Sequence, residues 1–193
     1  MAQVIAWQLR AAAACVAGLA VGATSLVAQG AAKPCTLVLP AELATIGVPP
    51  AARNTFDDDV VSIKPGQIPG ITTALRMAQC TTSYETFGAF PARWSVLTTA
   101  DPMTKARWTA LNKALDDDDD RQASPDDEQM VVGGVDCERL SYLAEKGKRV
   151  HALACYGFRG THAVTLEVAA AQKAQLPAPL VIKQQLDRML ARL

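Results

Sequence analysis

Four cysteines have the residue type and spacing that most clearly indicate a chemistry in this sequence. No CxxC pair occurs among the four, which are Cys35, Cys80, Cys137 and Cys155, and this spacing argues against a zinc site. An even number of cysteines in an exported protein instead predicts a disulfide framework, and four cysteines allow three pairings. The fifth cysteine, Cys15, lies in an apolar N-terminal segment that we expect to be removed.

One disulfide can be assigned from the register of a predicted hairpin. Residues 135–144 and 148–158 have strand-like patterns, and Glu145-Lys146-Gly147 between them fits a three-residue turn with a left-handed glycine. Counting outward from this turn places Cys137 directly opposite Cys155, at a Cα separation that a disulfide accepts. The sequence therefore predicts a cross-strand bond between these two cysteines.

The other two cysteines, Cys35 and Cys80, are then left to form the second disulfide. This bond would tie the opening segment to a strand and close a long loop, which stabilises a fold by about 3 to 4 kcal/mol. The alternative to the hairpin is a helix over residues 136–146 that ends at Gly147, because Glu, Leu, Ala and Lys favour helix there. That helix would remove the cross-strand register that places Cys137 opposite Cys155, but it would still allow the bond between them.

The two histidines are the next side chains that could act in catalysis or bind a metal. His151 and His162 fall on strands joined by a turn at Arg159-Gly160, which puts His151 near Val168 and far from His162. A two-histidine metal site is therefore not expected. The sequence also lacks GxSxG, HExxH, GxGxxG and phosphate-binding glycine motifs, so we assign no catalytic residue, metal or cofactor. An Asp or Glu pair stays open, because such pairs assemble in space.

A dense acidic segment follows the helix predicted after Asp101. Residues 116–120 are five aspartates, and residues 126–128 add three carboxylates. The charges repel one another and face the negative end of the helix, so we expect a solvated loop that is the most mobile internal segment. A calcium site is the alternative, although the run lacks the glycine turn and distal glutamate of an EF-hand loop.

The first 30 residues have the pattern of a secretory signal peptide. Arg10 is the only charged residue before Lys33, and an Ala-, Val- and Gly-rich apolar run follows it and ends in small residues. Two cleavage positions fit, so the exported protein is predicted to begin at Ala31 or Lys33. The alternatives are a membrane anchor, which this Ala- and Gly-rich run favours little, and lipidation at Cys15, which lacks an apolar region before it.

The remaining chain, residues 31–193, fits a single domain in the periplasm or outside the cell. Its length of about 160 residues is enough to bury a core. Removal of Arg10 lowers Lys plus Arg from 19 to 18 against 19 Asp plus Glu, so the domain is close to neutral. A nucleic-acid partner would need a strongly basic surface and is not expected, and neither is a stable membrane span after processing.

Local patterns predict an α+β fold, in which an antiparallel sheet is packed by two amphipathic helices and a short N-terminal helix. The short helix lies between Pro40 and Gly47. Residues 51–70 are predicted to be an irregular connection with at most a short strand at 60–63. Strands are predicted over 74–84 and 93–99 and in three segments of the last third.

The two longer helices are predicted from capping residues and apolar spacing. Asp101 can cap the first, with Pro102 at its first position, and Trp108, Leu111 and Leu115 lie on one side. The second follows Pro177-Ala178-Pro179. Its apolar stripe consists of Ile182, Leu186, Met189, Leu190 and Leu193. Trp94 and Trp108 are expected to fill the core.

Several of these features resemble small exported bacterial α+β domains of unknown function, many of which are lipoproteins. The resemblance lies in Cys35-Thr36-Leu37, in Pro40-Ala41-Glu42-Leu43 with Gly47, in the strand residue Cys80 and in the closing strand–turn–strand–helix. The chain departs from that pattern because it has no lipobox cysteine. The resemblance implies a fold and a compartment, and it implies no activity.

Two function classes follow from the sequence. The first is an exported, non-catalytic module that binds an envelope protein, a peptide or a small ligand. The second is a small envelope hydrolase that uses carboxylates or a lone histidine. A site of Asp, Glu or His groups with perturbed pKa values would favour the enzyme. A flat exposed apolar patch would favour the binding module.

Overall fold

The computed structural model describes residues 33–49, 52–66, 72, 74–83, 91–116, 127–143 and 149–193. Within these residues, seven strands form one antiparallel sheet: β1 (Arg53–Ile63), β2 (Leu75–Ser83), β3 (Ala92–Thr98), β4 (Glu128–Val132), β5 (Val135–Leu143), β6 (Arg149–Arg159) and β7 (His162–Ala170). Their spatial order is β1-β2-β3-β7-β6-β5-β4. Two meanders therefore meet where β3 pairs with β7.

In the part of the chain that the structure describes, three α-helices accompany the sheet: α1 (Pro40–Leu43), α2 (Lys105–Asp116) and α3 (Pro179–Arg192). Each follows local signals in the sequence. Proline occupies the first turn of α1 and α3, where its missing N–H costs nothing. A 3-10 turn, Ala44–Ile46, extends α1 and ends at Gly47 with a positive φ of 82°, as the predicted short helix requires. The architecture is α+β.

The first face of the sheet is marked by one row of cross-strand partners. This row is Cys80, Trp94, Leu166, Cys155 and Cys137. All five side chains are buried in one apolar cluster, which also takes in residues of α3 and of the N-terminal segment. The stripe that α3 contributes is Ile182, Leu186 and Met189, with Leu190 and Leu193 partly buried at its margin.

Both disulfides lie on the first face. Cys137 and Cys155 are direct cross-strand partners with their Cα atoms 4.1 Å apart. Cys35 joins Cys80 across a Cα separation of 5.1 Å and so ties the N-terminal segment to β2. The Cys137–Cys155 bond is the one that the hairpin register predicts, and Cys35–Cys80 is the pair that this assignment leaves. The indole nitrogen of Trp94 adds a hydrogen bond of 2.6 Å to the carbonyl of Pro34.

The second face of the sheet is covered at one end by α2. Leu111 is buried there in a cluster with Met77 and Leu97, and Trp108 packs against the same cluster. The ring of Trp108 lies 5.8 Å from that of Tyr156. The predicted stripe of α2 is therefore correct for these two residues, and the side chain of Leu115 lies outside the described part of the chain.

The start of α2 differs from the prediction. The helix begins at Lys105 and not at Pro102, and Thr104 is its cap, because its hydroxyl accepts a hydrogen bond from the Arg107 amide at 3.2 Å. Asp101 instead forms an ion pair of 3.0 Å with the guanidinium of Arg107. The backbone amide of Met103 donates a hydrogen bond of 2.8 Å to the carbonyl of Gly160 in the β6–β7 turn. Because this contact keeps Met103 outside the helix, α2 begins later in the chain than predicted.

The prediction of an irregular connection over residues 51–70 was wrong, because β1 runs for eleven residues from Arg53 to Ile63. Its pairing with β2 shifts register between Asp58 and Val61. An edge strand tolerates charges and irregular pairing that a central strand would not. The aspartates that argued for a surface connection are therefore compatible with a strand at the margin of the sheet.

The described residues of the last third form four strands, one more than predicted. The additional strand is β4, which reaches β5 through a hairpin turn at Gly133 and Gly134, both with positive φ. The alternative helix over residues 136–146 is wrong, since residues 135–143 are strand β5. Cross-strand pairing and burial outweigh helix propensity in this segment.

Several predictions fall outside the residues that the structure describes. These are the signal peptide over residues 1–30, residues 117–126 of the acidic loop predicted over 116–128, and the turn at Glu145-Lys146-Gly147. The ends of the predicted loop are described: Asp116 is the last residue of α2, and Glu128 is the first residue of strand β4 and not part of a loop. Among the described helices, none is long and apolar enough to cross a membrane.

Candidate functional site

The centre of the second face carries polar side chains where the first face is apolar. One row across the strands consists of Thr81, Arg93, Glu167, Ala154 and Glu138. Because strand side chains alternate between faces, all five project to the side opposite the disulfides. This row, together with the tyrosines that contact its carboxylates, is named the polar cluster.

An ion pair lies at the middle of the polar cluster. A guanidinium nitrogen of Arg93 is 2.8 Å from a carboxylate oxygen of Glu167, and the two side chains are only 13% and 7% exposed. They are direct partners on β3 and β7, the strands that join the two meanders. Burial alone would lower the pKa of Arg93, but the Glu167 carboxylate outweighs this effect and raises it above its ordinary value.

Tyr142 approaches the same carboxylate from β5. Its hydroxyl oxygen lies 3.5 Å from the second carboxylate oxygen of Glu167. The ring packs against a cluster that includes Ala152 and Ala169. Small residues on β6 and β7 therefore leave room for Tyr142 to reach across the sheet towards the ion pair.

Tyr156 and Glu138 form the other side of the polar cluster. The Tyr156 hydroxyl donates a hydrogen bond of 3.3 Å to the Glu138 carboxylate, and both residues are buried. Burial and the negative charge of Glu138 raise the pKa of Tyr156 well above its ordinary value. The phenol therefore stays protonated and serves as a hydrogen-bond donor.

A second row, beside the polar cluster, carries neutral hydrogen-bonding groups. It consists of Gln79, Ser95 and Thr165, which are cross-strand partners on β2, β3 and β7, and it continues to Tyr156. The three neutral side chains are half-buried. The Ser95 hydroxyl lies 3.4 Å from the Gln79 amide oxygen, and the Gln79 amide nitrogen lies 3.1 Å from the Thr81 hydroxyl. We call this set the neutral row.

Within the described residues, no group of three or more His, Cys, Asp or Glu side chains is arranged to hold a metal ion. No family model, curated protein or solved structure matches the chain. We therefore choose the polar cluster as the candidate site on its geometry alone. It places one guanidinium, two buried carboxylates and two phenols on one face of the sheet.

The residues that the sequence singled out lie elsewhere. The four cysteines are on the first face. His151 is the partner of Ala170, and His162 is the partner of Arg159 at the other end of the β6–β7 pair, so the two histidines do not meet.

The residues of the polar cluster are not among the sites predicted from the sequence. One signal was available, because Glu167 interrupts the apolar strand β7 and Arg93 occupies the alternate face of β3. Charged residues on central strands are rarely buried unless they are paired. The pairing of β3 with β7, which brings the two together across 74 residues, is not visible in the local pattern.

Proposed function

We propose that the chain is an exported, non-catalytic module of the envelope or the extracellular space that binds a small polar ligand on the second face of its sheet. The observation that carries this proposal is the buried Arg93–Glu167 pair at the centre of the sheet, with a tyrosine hydroxyl beside it. Between an envelope protein and a small ligand as the partner, the polar cluster favours the small ligand.

Stability alone does not favour a buried ion pair at this place in the sheet. A buried ion pair must offset the loss of water around both charges, and apolar residues of similar volume are often as stable or more stable. The equivalent row on the first face is apolar throughout and holds both disulfides. A charged cluster kept on a central strand pair therefore supports a role in recognition.

The proposed compartment rests on two further features. The two disulfides fit an oxidising environment. The first 30 residues have the composition of a cleavable signal. Intact-mass measurement of the exported protein tests this part, because the expected species begins at Ala31 or Lys33. A species that retains residues 1–30, or carries a lipid on Cys15, would contradict it.

A hydrolase is the second candidate, and one observation favours it. Glu167 and Glu138 share a row with only Ala154 between them, so their Cα atoms are about 10 Å apart. Paired carboxylates on one surface are the groups that acid–base hydrolysis uses. Glu167 is, however, held by Arg93. Glu138 is held by a phenol that stays protonated. These contacts support a binding role over proton transfer.

The binding proposal is tested by saturation-transfer NMR on the exported protein with both disulfides intact. The probes are sugars, amino acids, amines and carboxylic acids. We expect one class to bind and to lose binding in the double variant Arg93→Met/Glu167→Leu. The matched control is Gln184→Ala, an exposed residue of α3 on the other side of the sheet, which should bind as the wild type does. If no class binds, or if the double variant binds equally well, the proposal is wrong.

The same samples separate binding from hydrolysis. Probes that bind are incubated with the protein and followed by NMR for new products. A binding module leaves them unchanged. Product formed by the wild type and absent with Glu138→Gln would replace the binding proposal with the hydrolase.

A further inference from the structure

We propose that the ligand is a neutral saccharide, recognised by the neutral row Gln79, Ser95 and Thr165 next to the aromatic pair Trp108 and Tyr156. This inference rests on the proposed function, because it assigns a ligand class to the same face. It concerns the row beside the ion pair, where the three half-buried hydrogen-bonding groups carry no charge. The row continues to Asp57 on β1 and to Asp136 on β5, and Asp136 is paired with Lys105.

The charges at the site favour a neutral ligand. Arg93 is engaged by Glu167 at 2.8 Å, so its positive charge is matched by a neighbouring negative one. A ligand carboxylate or phosphate would have to compete with that buried carboxylate for the guanidinium. The half-buried groups beside the pair are an amide and two hydroxyls. These groups complement a ligand that offers hydrogen bonds without net charge.

The hydrogen-bonding groups of the neutral row favour the same kind of ligand. The amide of Gln79 and the hydroxyls of Ser95 and Thr165 can each donate and accept. Sugar hydroxyls have the same dual character. The three residues lie on adjacent strands, and the strands are spaced by about 4.8 Å, so the groups form a line along which several neighbouring hydroxyls can bind.

An aromatic surface lies at the end of the neutral row. Tyr156 is the cross-strand partner of Thr165, and the half-buried ring of Trp108 lies 5.8 Å from the Tyr156 ring with a tilt of 38°. The electron-rich face of an indole attracts the weakly positive C–H groups of a sugar ring. Hydrogen-bonding groups next to the half-buried ring of Trp108 therefore match both the polar rim and the apolar face of a saccharide.

The test uses three probes on the exported protein: cellobiose as the saccharide, succinate as an anion and putrescine as a cation. Binding is followed by the fluorescence of Trp108, with Trp94 as a buried background, and by NMR chemical shifts. We expect cellobiose to bind and the two charged probes to bind at least tenfold more weakly. Ser95→Ala and Gln79→Ala should each weaken cellobiose binding about fivefold to tenfold, the value of one hydrogen bond.

Matched variants keep the test decisive. Gln184→Ala removes an equivalent side chain from an exposed position on α3, on the other side of the sheet, and should leave the affinity unchanged. Ser95→Ala and Gln79→Ala alter half-buried positions, so their melting temperatures are measured, and values close to that of the wild type are expected for an intact fold. If succinate or putrescine binds through Arg93 or Glu167 while cellobiose does not, the saccharide inference is wrong and the proposed function stands. If the whole probe library fails to bind, both are wrong.

Discussion

The two faces of the sheet are built from the same strands and yet follow opposite rules. On the first face, five cross-strand partners from Cys80 to Cys137 are apolar and sealed by α3 and the N-terminal segment. On the second face, the adjacent row places Arg93, Glu167 and Glu138 in equally central positions. A central position within the sheet therefore does not determine whether a side chain is polar. Both faces bury apolar clusters, and the centre of the second face also holds a charged pair.

The electrostatic pairs of the two faces also differ in their setting. Glu42 and Arg192 pair at the margin of the first face and join α1 to α3, where Arg192 also binds the Leu37 carbonyl. The Arg93–Glu167 pair is buried at the centre of the second face. A pair at a margin adds a modest amount of stability, whereas a buried pair has a large desolvation cost. Only the buried pair calls for a reason beyond packing.

The largest expected effect comes from the apolar row of the first face. Trp94→Ala removes a fully buried ring together with its hydrogen bond to Pro34, and it should lower the free energy of unfolding by about 4 kcal/mol. Urea denaturation with the disulfides intact measures this loss. Phe56→Ala, at a 51% exposed position on β1, is the control and should change stability by less than about 0.5 kcal/mol. Similar losses at both positions would contradict the assignment of the core.

A smaller effect is expected where α3 approaches the first face most closely. A Cβ atom on Gly157 would lie 2.5 Å from a methyl carbon of Leu190 and 3.3 Å from one of Leu186. Gly157→Ala should therefore force the Leu190 side chain to move and cost about 1 kcal/mol. Removing the obstructing side chain tests the cause: in a Leu190→Ala background the same change should cost clearly less. Additive losses would show that α3 does not sit on Gly157.

The margin pair gives a pH-dependent effect of about 1 kcal/mol. Hydrogen bonds from Arg192 lower the pKa of Glu42 from 4.5 to about 2. A depressed carboxyl pKa stabilises the fold above the unfolded value and loses that contribution as the pH falls through the folded value. The difference in unfolding free energy between wild type and Glu42→Gln should be about 1 kcal/mol at pH 6 and should vanish between about pH 5 and pH 2. A difference that is constant with pH would contradict the ion pair.

Most of the first face could be predicted from the sequence, because its signals are local. The stripe of α3 follows a helical period, and the hairpin count that placed Cys137 opposite Cys155 needed only the turn and the strand lengths. The short helix at Pro40 was bounded by its proline and by Gly47. The helical period and the turn residues are enough to predict contacts between residues that are close in sequence.

The second face could not be predicted in the same way. Its ion pair joins residues 74 positions apart, and its neutral row combines one residue from each of three strands. The order of strands that creates these neighbours depends on β7 returning to β3, for which no local pattern exists. The acidic β1 was missed for a related reason, since its edge position explains why aspartates are tolerated there.

The most direct test of the account is the stability of Arg93→Met/Glu167→Leu measured beside its ligand binding. The double variant replaces the buried pair by apolar side chains, so its unfolding free energy should stay within about 1 kcal/mol of wild type, whereas Arg93→Met alone should lose about 3 to 5 kcal/mol by leaving a carboxylate buried without its cation. Binding of the small polar ligand should be lost in the double variant. A double variant that loses 3 kcal/mol or more, or that still binds the ligand as wild type does, would contradict the claim that this pair is kept for recognition.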